Sequence, residues 1–394
     1  MKQSHKVTYG ILALLLCIGG LAWLSEYSAT PLQSSHPTQE QQEPAPVPFT
    51  PRSVRLIAAG DNLIHDVIYQ QARARAGGEG YDFDAAYAQV EKLFDPEALT
   101  FINQETPLAS KILPLSNYPM FNSPTEVGDK LVEMGFDAIN HANNHMLDKG
   151  EKGLLATMDY WEAQPVVFIG AWRSKEEADK PIIVTKNGVD IGFVAVAEQT
   201  NGLSLPQGSP VHYLLSSDLA GIKRQVELTQ AHCDYLVVSI HWGEENVFST
   251  TPAQDALAQE LADMGVDLVL GHHSHTLAPM EWLQGKEGKK TLVVYSLGNF
   301  ISAMASPQNM LGGVLDMQLV EDTTTGEFTV KSAQMIPVVT HYGYRYQDLK
   351  LYPLAEYTDQ LAKEHGIRGK HPNFSRGYLW EIYHKVIPKE FATA

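Results

Sequence analysis

The chain has 394 residues, 44% of them hydrophobic and 19% charged, which is the composition of one large or two ordinary folded domains and excludes a wholly disordered protein. With 29 basic against 46 acidic residues the formal charge is −17, which argues against nucleic acid and requires a local positive centre, such as a metal ion, for any anionic substrate. The two cysteines, Cys17 and Cys233, lie far apart and supply no disulfide framework.

Residues 1–6 carry Lys2 and Lys6 and precede an apolar run, Val7 to Leu24, just long enough to span a bilayer. Basic residues before it and Glu26 after it predict an uncleaved anchor with the bulk of the chain outside the cell. Residues 25–52, rich in Pro, Ser, Thr and Gln, read as a flexible linker. Folding is expected from "SVRLIAAG" onward, a domain over 53–345 and a C-terminal extension, 346–394, wrapped on it.

Strands and helices then alternate. "LTFIN" (99–103) reads as a strand, followed past a loop by a helix with Ser123 as N-cap, Pro124 in the first turn and Glu126 three residues on. "FDAIN" (136–140) and "VVFIG" (166–170) are strands around the helix "GLLATMDYWEA". "PIIVTKNGVDIGFVAVA" is a hairpin turning at Asn187-Gly188. "YLVVSIHWG", a helix near 253–264, "DLVLGHH", the strand "TLVVYSLGNF" and a hairpin turning near "DTTTGEF" complete the domain. Embedded hairpins within β/α alternation predict a layered α/β domain rather than a purely parallel sheet.

Unusual polar clusters fall at five strand ends, where open α/β sheets place their sites. They are Asp61 and His65; Asn103 and Glu105; Asn140, His141, Asn143, Asn144, His145 and Asp148; His241 and Glu244; and His272, His273 and His275. Carboxylates, amides and imidazoles without thiolate suit Mn, Fe, Zn or Mg rather than a structural zinc. On an extended strand end His273 and His275 would point one way and His272 the other, giving two ligands and one packing or second-layer histidine.

The ordered motifs "GDNLIHD", "NQETPL", "NNHMLDKG", "HWGEE", "GHHSH" and "YSLGNF" resemble those of the CapA/PgsA family of bacterial poly-γ-glutamate capsule proteins, over roughly Val54 to Ser302. The resemblance implies a calcineurin-like metallophosphatase fold, a four-layer α/β/β/α sandwich, following one N-terminal transmembrane helix. It implies two divalent ions sharing one carboxylate. Asp61 would bind the first ion, Glu105 bridge, and Asn144 bind the second, with His241, His273 and His275 completing the shells. His145 would act as general acid, oriented by Asp148. Metallophosphatases carry a histidine two residues after the first aspartate; here that position is Leu63, and His65 is the candidate substitute. Their bridging residue is aspartate, replaced here by Glu105. Asn103, Glu244, Ser296 and Asn299 are candidate substrate contacts.

The implied partners are the membrane poly-γ-glutamate synthase subunits, the polymer or a phosphorylated intermediate, and the membrane through the N-terminal helix. A general extracellular metal-dependent hydrolase of phosphoesters or γ-glutamyl amides, and a non-catalytic scaffold of the synthase, are the competing expectations.

Overall fold

A computed structural model describes residues 50–393. The expected N-terminal segment, anchor and nearly all of the linker lie outside the described residues. Among the described residues no helix is long and apolar enough to cross a membrane. Arg52, expected to end the linker, is already held: its guanidinium reaches Asp234 at 2.9 Å and Glu321 at 2.8 Å.

Two mixed sheets form the core. In the first, the strands lie in the spatial order Lys350–Pro353, Phe328–His341, Leu311–Glu321, Ser53–Asn62, Leu99–Gln104, Ala138–Asn140 and Val167–Ile169, with Asn299–Ile301 also paired to Ser53–Asn62. In the second the order is Met280–Gln284, Lys290–Val294, Leu268–His272, Tyr235–His241, Val189–Ala197 and Ile182–Lys186, with Leu214–Leu215 joined to Val189–Ala197. The central strands of each sheet are parallel to one another, and the hairpins are antiparallel.

Alternation along the second sheet decides its packing. Ile191, Phe193, Ala195, Val237 and Leu270 join one core with the first sheet, while Val194, Val196, Leu236, Val238 and Ile240 join another with Ile222, Val226, Ala258 and Leu261 of the covering helices. Phe101 and Phe193 stack across the two sheets with centroids 5.9 Å apart and planes 9° from parallel. Helices Leu219–Gln230 and Pro252–Asp263 pack on the second sheet, and Gly150–Glu162 and Asp84–Tyr87 pack on the first. The result is helices outside two face-to-face sheets.

Local signals explain several elements. Asn187 and Gly188 both take positive φ, 53° and 72°, as the two-residue hairpin turn between Ile182–Lys186 and Val189–Ala197 requires. Helix Pro252–Asp263 begins with a capping box, in which the Thr251 side chain accepts from the Gln254 N–H and Gln254 answers the Thr251 N–H.

The helix expected to be capped by Ser123 instead spans Glu126–Glu133 behind Thr125. Ser123 is buried, and its hydroxyl donates to Thr106 Oγ1 at 2.8 Å, so a tertiary partner has taken the capping group. The expected single strand "TLVVYSLGNF" is two: Lys290–Val294 belongs to the second sheet and Asn299–Ile301 to the first. Lys350–Pro353, in the segment expected to wrap the domain, adds an edge strand to the first sheet.

The crossing between Val294 and Asn299 stitches the sheets together at the ends of their parallel strands. Asp61 N–H donates to the Gly298 carbonyl at 2.9 Å, and Leu297 N–H donates to the Gly271 carbonyl at 3.0 Å. A Cβ at Gly60 would run into the Gly298 carbonyl oxygen, and one at Gly271 into that of Tyr295. The two glycines therefore set how closely the strand ends of the two sheets approach. Replacing Gly271 by Ala is expected to cost about 1–3 kcal/mol or more through forced backbone shifts. Gly369→Ala, with nothing within 4 Å of the added methyl, should stay within about 0.5 kcal/mol of the native chain. Urea unfolding of the two variants measures the difference.

Candidate metal centre

Register places the polar strand ends side by side. Asp61 pairs with Asn103 and Asn103 with Asn140 in the first sheet; His241 pairs with His272 in the second. The loops after these ends carry the remaining candidates into the gap between the sheets.

Asp61 is fully buried, with Oδ1 accepting from Asn103 Nδ2 at 2.8 Å. Its Oδ2 lies 3.2 Å from His275 Nδ1 and accepts weakly from the His273 N–H at 3.4 Å. Glu105 is equally buried, yet neither of its carboxylate oxygens has a hydrogen-bond partner. Oε1 faces His241 Nε2 at 3.7 Å and His275 Nε2 at 3.8 Å. Donor atoms of Asp61, Glu105 and His275 lie within 4.8 Å of one another.

Electrostatics set these carboxylates apart. Burial pushes the Glu105 carboxyl well above its ordinary range; His275 opposes this and Asp61 adds to it. Burial also works against the charge on Asp61, but His272 and His275 outweigh it and hold that carboxyl well below the usual range. His275 would be lowered by burial, but Glu105 and Asp61 raise it to about 9. A buried carboxylate without a partner costs several kcal/mol, so the arrangement calls for a cation beyond the single imidazole.

A second group of donors adjoins the first. His241 Nε2 lies 2.9 Å from Asn144 Oδ1 and 3.1 Å from His273 Nδ1. Both distances from His241 Nε2 match the spacing of neighbouring ligands at ordinary metal–nitrogen and metal–oxygen bond lengths. Burial holds His241 well below its ordinary range and lowers His273 to about 4, so both are neutral, the form that binds metal. Oxygen and imidazole donors, an orphaned carboxylate and neutral histidines together fit divalent cations of the hard or borderline kind.

His145 stands beside this group. Its Nδ1 donates to Asp148 Oδ2 at 2.8 Å, and the same oxygen accepts from the Phe121 N–H at 2.7 Å. This bond fixes the ring's tautomer and orientation, leaving Nε2 without a partner among the described residues.

Asp61, Glu105, Asn144, His241, His273 and His275 are thus brought together, with His145 and Asp148 alongside. His65 is not in the group: its Nδ1 meets the Ala303 N–H at 3.2 Å and its ring packs edge-on against Phe121. Asn103 and Asn299 hold two of these side chains. Asn103 bonds Asp61, and Asn299 Oδ1 lies 3.0 Å from His275 Nδ1. Ser296 Oγ accepts from the Gly298 N–H at 3.0 Å within the stitch between sheets. Glu244 is exposed.

His273 and His275 reach the site by a route other than an extended strand. The strand ends at His272, and both residues take positive φ, 92° and 56°, in the turn that follows. Such backbone costs about 1–3 kcal/mol and persists where the surroundings over-determine it. His272 stacks on Phe101, and its Nδ1 stands 3.5 Å from Asp61 Oδ1 without hydrogen-bond geometry.

Sequence inspection missed a buried amide chain behind the site. Tyr87 donates to Asn62 at 2.7 Å, Asn62 to Gln104 at 2.6 Å, and Gln104 to Thr106. Two consecutive amides in the apolar run "LTFINQ" were the available signal. Asn201, whose Oδ1 accepts from Asn144 Nδ2 at 3.3 Å, gave none.

Residues 55–304 match the family described as bacterial capsule synthesis protein PGA_cap. The chain belongs to that family. It is 34% identical over 175 residues to the PGA biosynthesis protein CapA of Bacillus subtilis (strain 168), covering 43% of this chain and 44% of that protein. It is 30% identical over 172 residues to the capsule biosynthesis protein CapA of Bacillus anthracis, covering 43% of this chain and 41% of that protein. Each match thus spans less than half the length of the curated relative. Among solved structures the PGA_cap chain overlaps a putative 5'-nucleotidase of Staphylococcus aureus at TM-score 0.46 and 12% identity, over 82% of this chain and 58% of that one. It also overlaps the calcineurin-like phosphoesterase YfkN of Bacillus subtilis at TM-score 0.41 and 14% identity, over 84% and 100%.

The uncompensated Glu105 gives this PGA_cap chain a measurable signature. In chelator, Glu105→Gln is expected to unfold at higher urea than the native chain, because folding no longer has to neutralise or desolvate a carboxylate that is ionised in the unfolded chain. At free Mn or Zn about 100 times its dissociation constant the native chain should gain about 2.7 kcal/mol, and Glu105→Gln much less. Equal stabilisation of both by metal would remove Glu105 from the site.

Proposed function

We propose that this PGA_cap chain is an outward-facing, membrane-anchored component of poly-γ-glutamate capsule biosynthesis, whose strand-end site holds two divalent cations and hydrolyses an ester of a phosphorylated intermediate. The observation that carries the hydrolytic reading is the fully buried Glu105 carboxylate, unpartnered and facing both donor groups. Family membership and the names of the curated relatives support the capsule role. The apolar run 7–24 supports the anchor and the outward orientation, and the membrane synthase subunits are the partners this placement implies.

Asp61 and His275 would hold one ion, Asn144, His241 and His273 the other, with Glu105 between them. Bound there, divalent cations would polarise a substrate oxygen as Lewis acids and offset the anionic charge that builds up in the reaction. Asn103 keeps Asp61 Oδ1 in place, and Asn299 and Asp61 together fix His275. Asp148, pinned by the Phe121 N–H, holds the Nδ1 proton of His145 and turns Nε2 toward the cleft. As water adds at phosphorus and the ester P–O bond breaks, His145 protonated at Nε2 can give that proton to the leaving oxygen, which leaves a neutral imidazole whose Nδ1 hydrogen is still held by Asp148. A carboxylate-rich polymer meeting a chain of net charge −17 would touch it at this site and little elsewhere.

Turnover of bis(p-nitrophenyl) phosphate by the metal-loaded full-length chain tests this. His145→Ala is expected to lower kcat by about 10²–10⁴ while leaving metal content unchanged. Cleavage of a γ-glutamyl anilide instead of the phosphodiester would reassign the bond class. Turnover of neither, with metal bound, would make the chain a scaffold.

A further inference from the structure

His65 stands at the end of a segment held on two sides. Leu63 N–H donates to the Ile301 carbonyl at 3.0 Å, and Asp66 N–H donates to Asn117 Oδ1 at 3.2 Å. The segment bridges the strand Asn299–Ile301 and the loop that carries Phe121. His65 and His145 both pack edge-on against the Phe121 ring, at centroid distances of 5.3 and 4.8 Å. Phe121 thus contacts both imidazoles, and its own N–H holds Asp148.

The two imidazoles differ in which nitrogen carries hydrogen. His145 donates through Nδ1 to Asp148, so in its neutral form Nε2 is an acceptor. His65 Nδ1 meets two backbone groups, the Ala303 N–H at 3.2 Å and the Leu63 carbonyl at 3.3 Å. The two contacts make opposite demands on Nδ1, since the N–H can only donate and the carbonyl only accept. A buried N–H is left unpaired less readily than a carbonyl, and the Ala303 contact is the shorter, so Nδ1 accepts from Ala303 and the ring hydrogen sits on Nε2. His65 Nε2 has no partner among the described residues, and the residue is partly exposed where the metal donors are buried. A ring whose ligating-capable nitrogen is already occupied by a backbone N–H is also poorly disposed to bind metal.

We infer that His65 is a substrate-binding residue, a fixed Nε2–H donor that holds an anionic oxygen of the substrate beside His145, and that it is not a metal ligand. The pair is complementary: His65 supplies a donor that keeps its hydrogen, and His145 supplies the nitrogen that exchanges one. Such a donor suits a tetrahedral oxyanion, whose non-reacting oxygen it can hold while the leaving oxygen faces His145. The inference rests on the proposed function of the site in acting on an anionic substrate.

Inorganic phosphate is the probe, titrated calorimetrically into the metal-loaded full-length chain, with metal content measured on every sample. His65→Leu removes the donor. His65→Asn keeps an acceptor within reach of the Ala303 N–H but withdraws the donor from the Nε2 position, and His65→Gln restores an N–H near it. Loss of one hydrogen bond to a charged group is expected to weaken phosphate binding by about tenfold or more in the Leu and Asn variants. His65→Gln should remain within about threefold of native, with metal content equal in all four proteins. The Asn and Gln pair carries the comparison if the Leu variant does not fold. Loss of metal from the His65 variants would make the residue a ligand and overturn the inference. Unchanged phosphate affinity, or no phosphate binding by a native chain that holds metal, would overturn it as well and leave the metal centre standing. A native chain that holds no metal would defeat the metal reading, while the His65 comparison is still read from phosphate affinity.

Discussion

Two carboxylates buried side by side, Asp61 and Glu105, are the constraint around which the strand-end region is organised. Only Asp61 is hydrogen-bonded; Glu105 has neither donor nor solvent. One nearby imidazole, His275, compensates part of this charge by holding its proton to about pH 9. The adjoining His241, His273 and Asn144 offer neutral imidazoles and an amide oxygen. Such a shell stabilises a cation better than it stabilises a carboxylate, and the two requirements meet if the cation is metal.

The fold is arranged to bring those groups to one place. Parallel strands from both sheets end at the same gap, and register aligns Asp61 with Asn103 and His241 with His272. Close approach depends on Gly60 and Gly271 and on a chain segment that leaves one sheet and enters the other within a few residues. Strained backbone at His273 and His275 then aims two more imidazoles inward. Stability is conceded locally at the site and recovered from the sheet-to-sheet core, where Phe101 stacks on both Phe193 and His272.

Much of this was legible in the sequence because each feature has a local cause. Strand ends announced themselves by polar residues directly after apolar runs, and the Asn187-Gly188 signal is self-contained. Features that depend on distant partners were not legible. An apolar run such as "TLVVYSLGNF" reads alike whether it stays in one sheet or crosses between two. Ser123 has a capping residue's chemistry, but Thr106 claims its hydroxyl. His65 lies near enough to Asp61 in sequence to suggest a ligand, and only the Ala303 N–H shows its Nδ1 to be taken. Asn103 and Asn299 looked like substrate contacts because they are polar and end strands; burial makes them supports for Asp61 and His275.

A family role in capsule synthesis and a buried, cation-seeking donor set are compatible with a hydrolytic centre that faces anionic material from an acidic protein. Net charge repels a polyanion at a distance, so a metal-filled cleft would be the point of attraction. The central claim is that the cleft binds metal, and elemental mass spectrometry of the full-length chain after Mn or Zn supplementation tests it most directly. About two ions per native chain, falling on combined replacement of Asp61 by Asn and His241 by Ala, is the result expected of a dinuclear centre. Metal content no higher in the native chain than in that variant would contradict it.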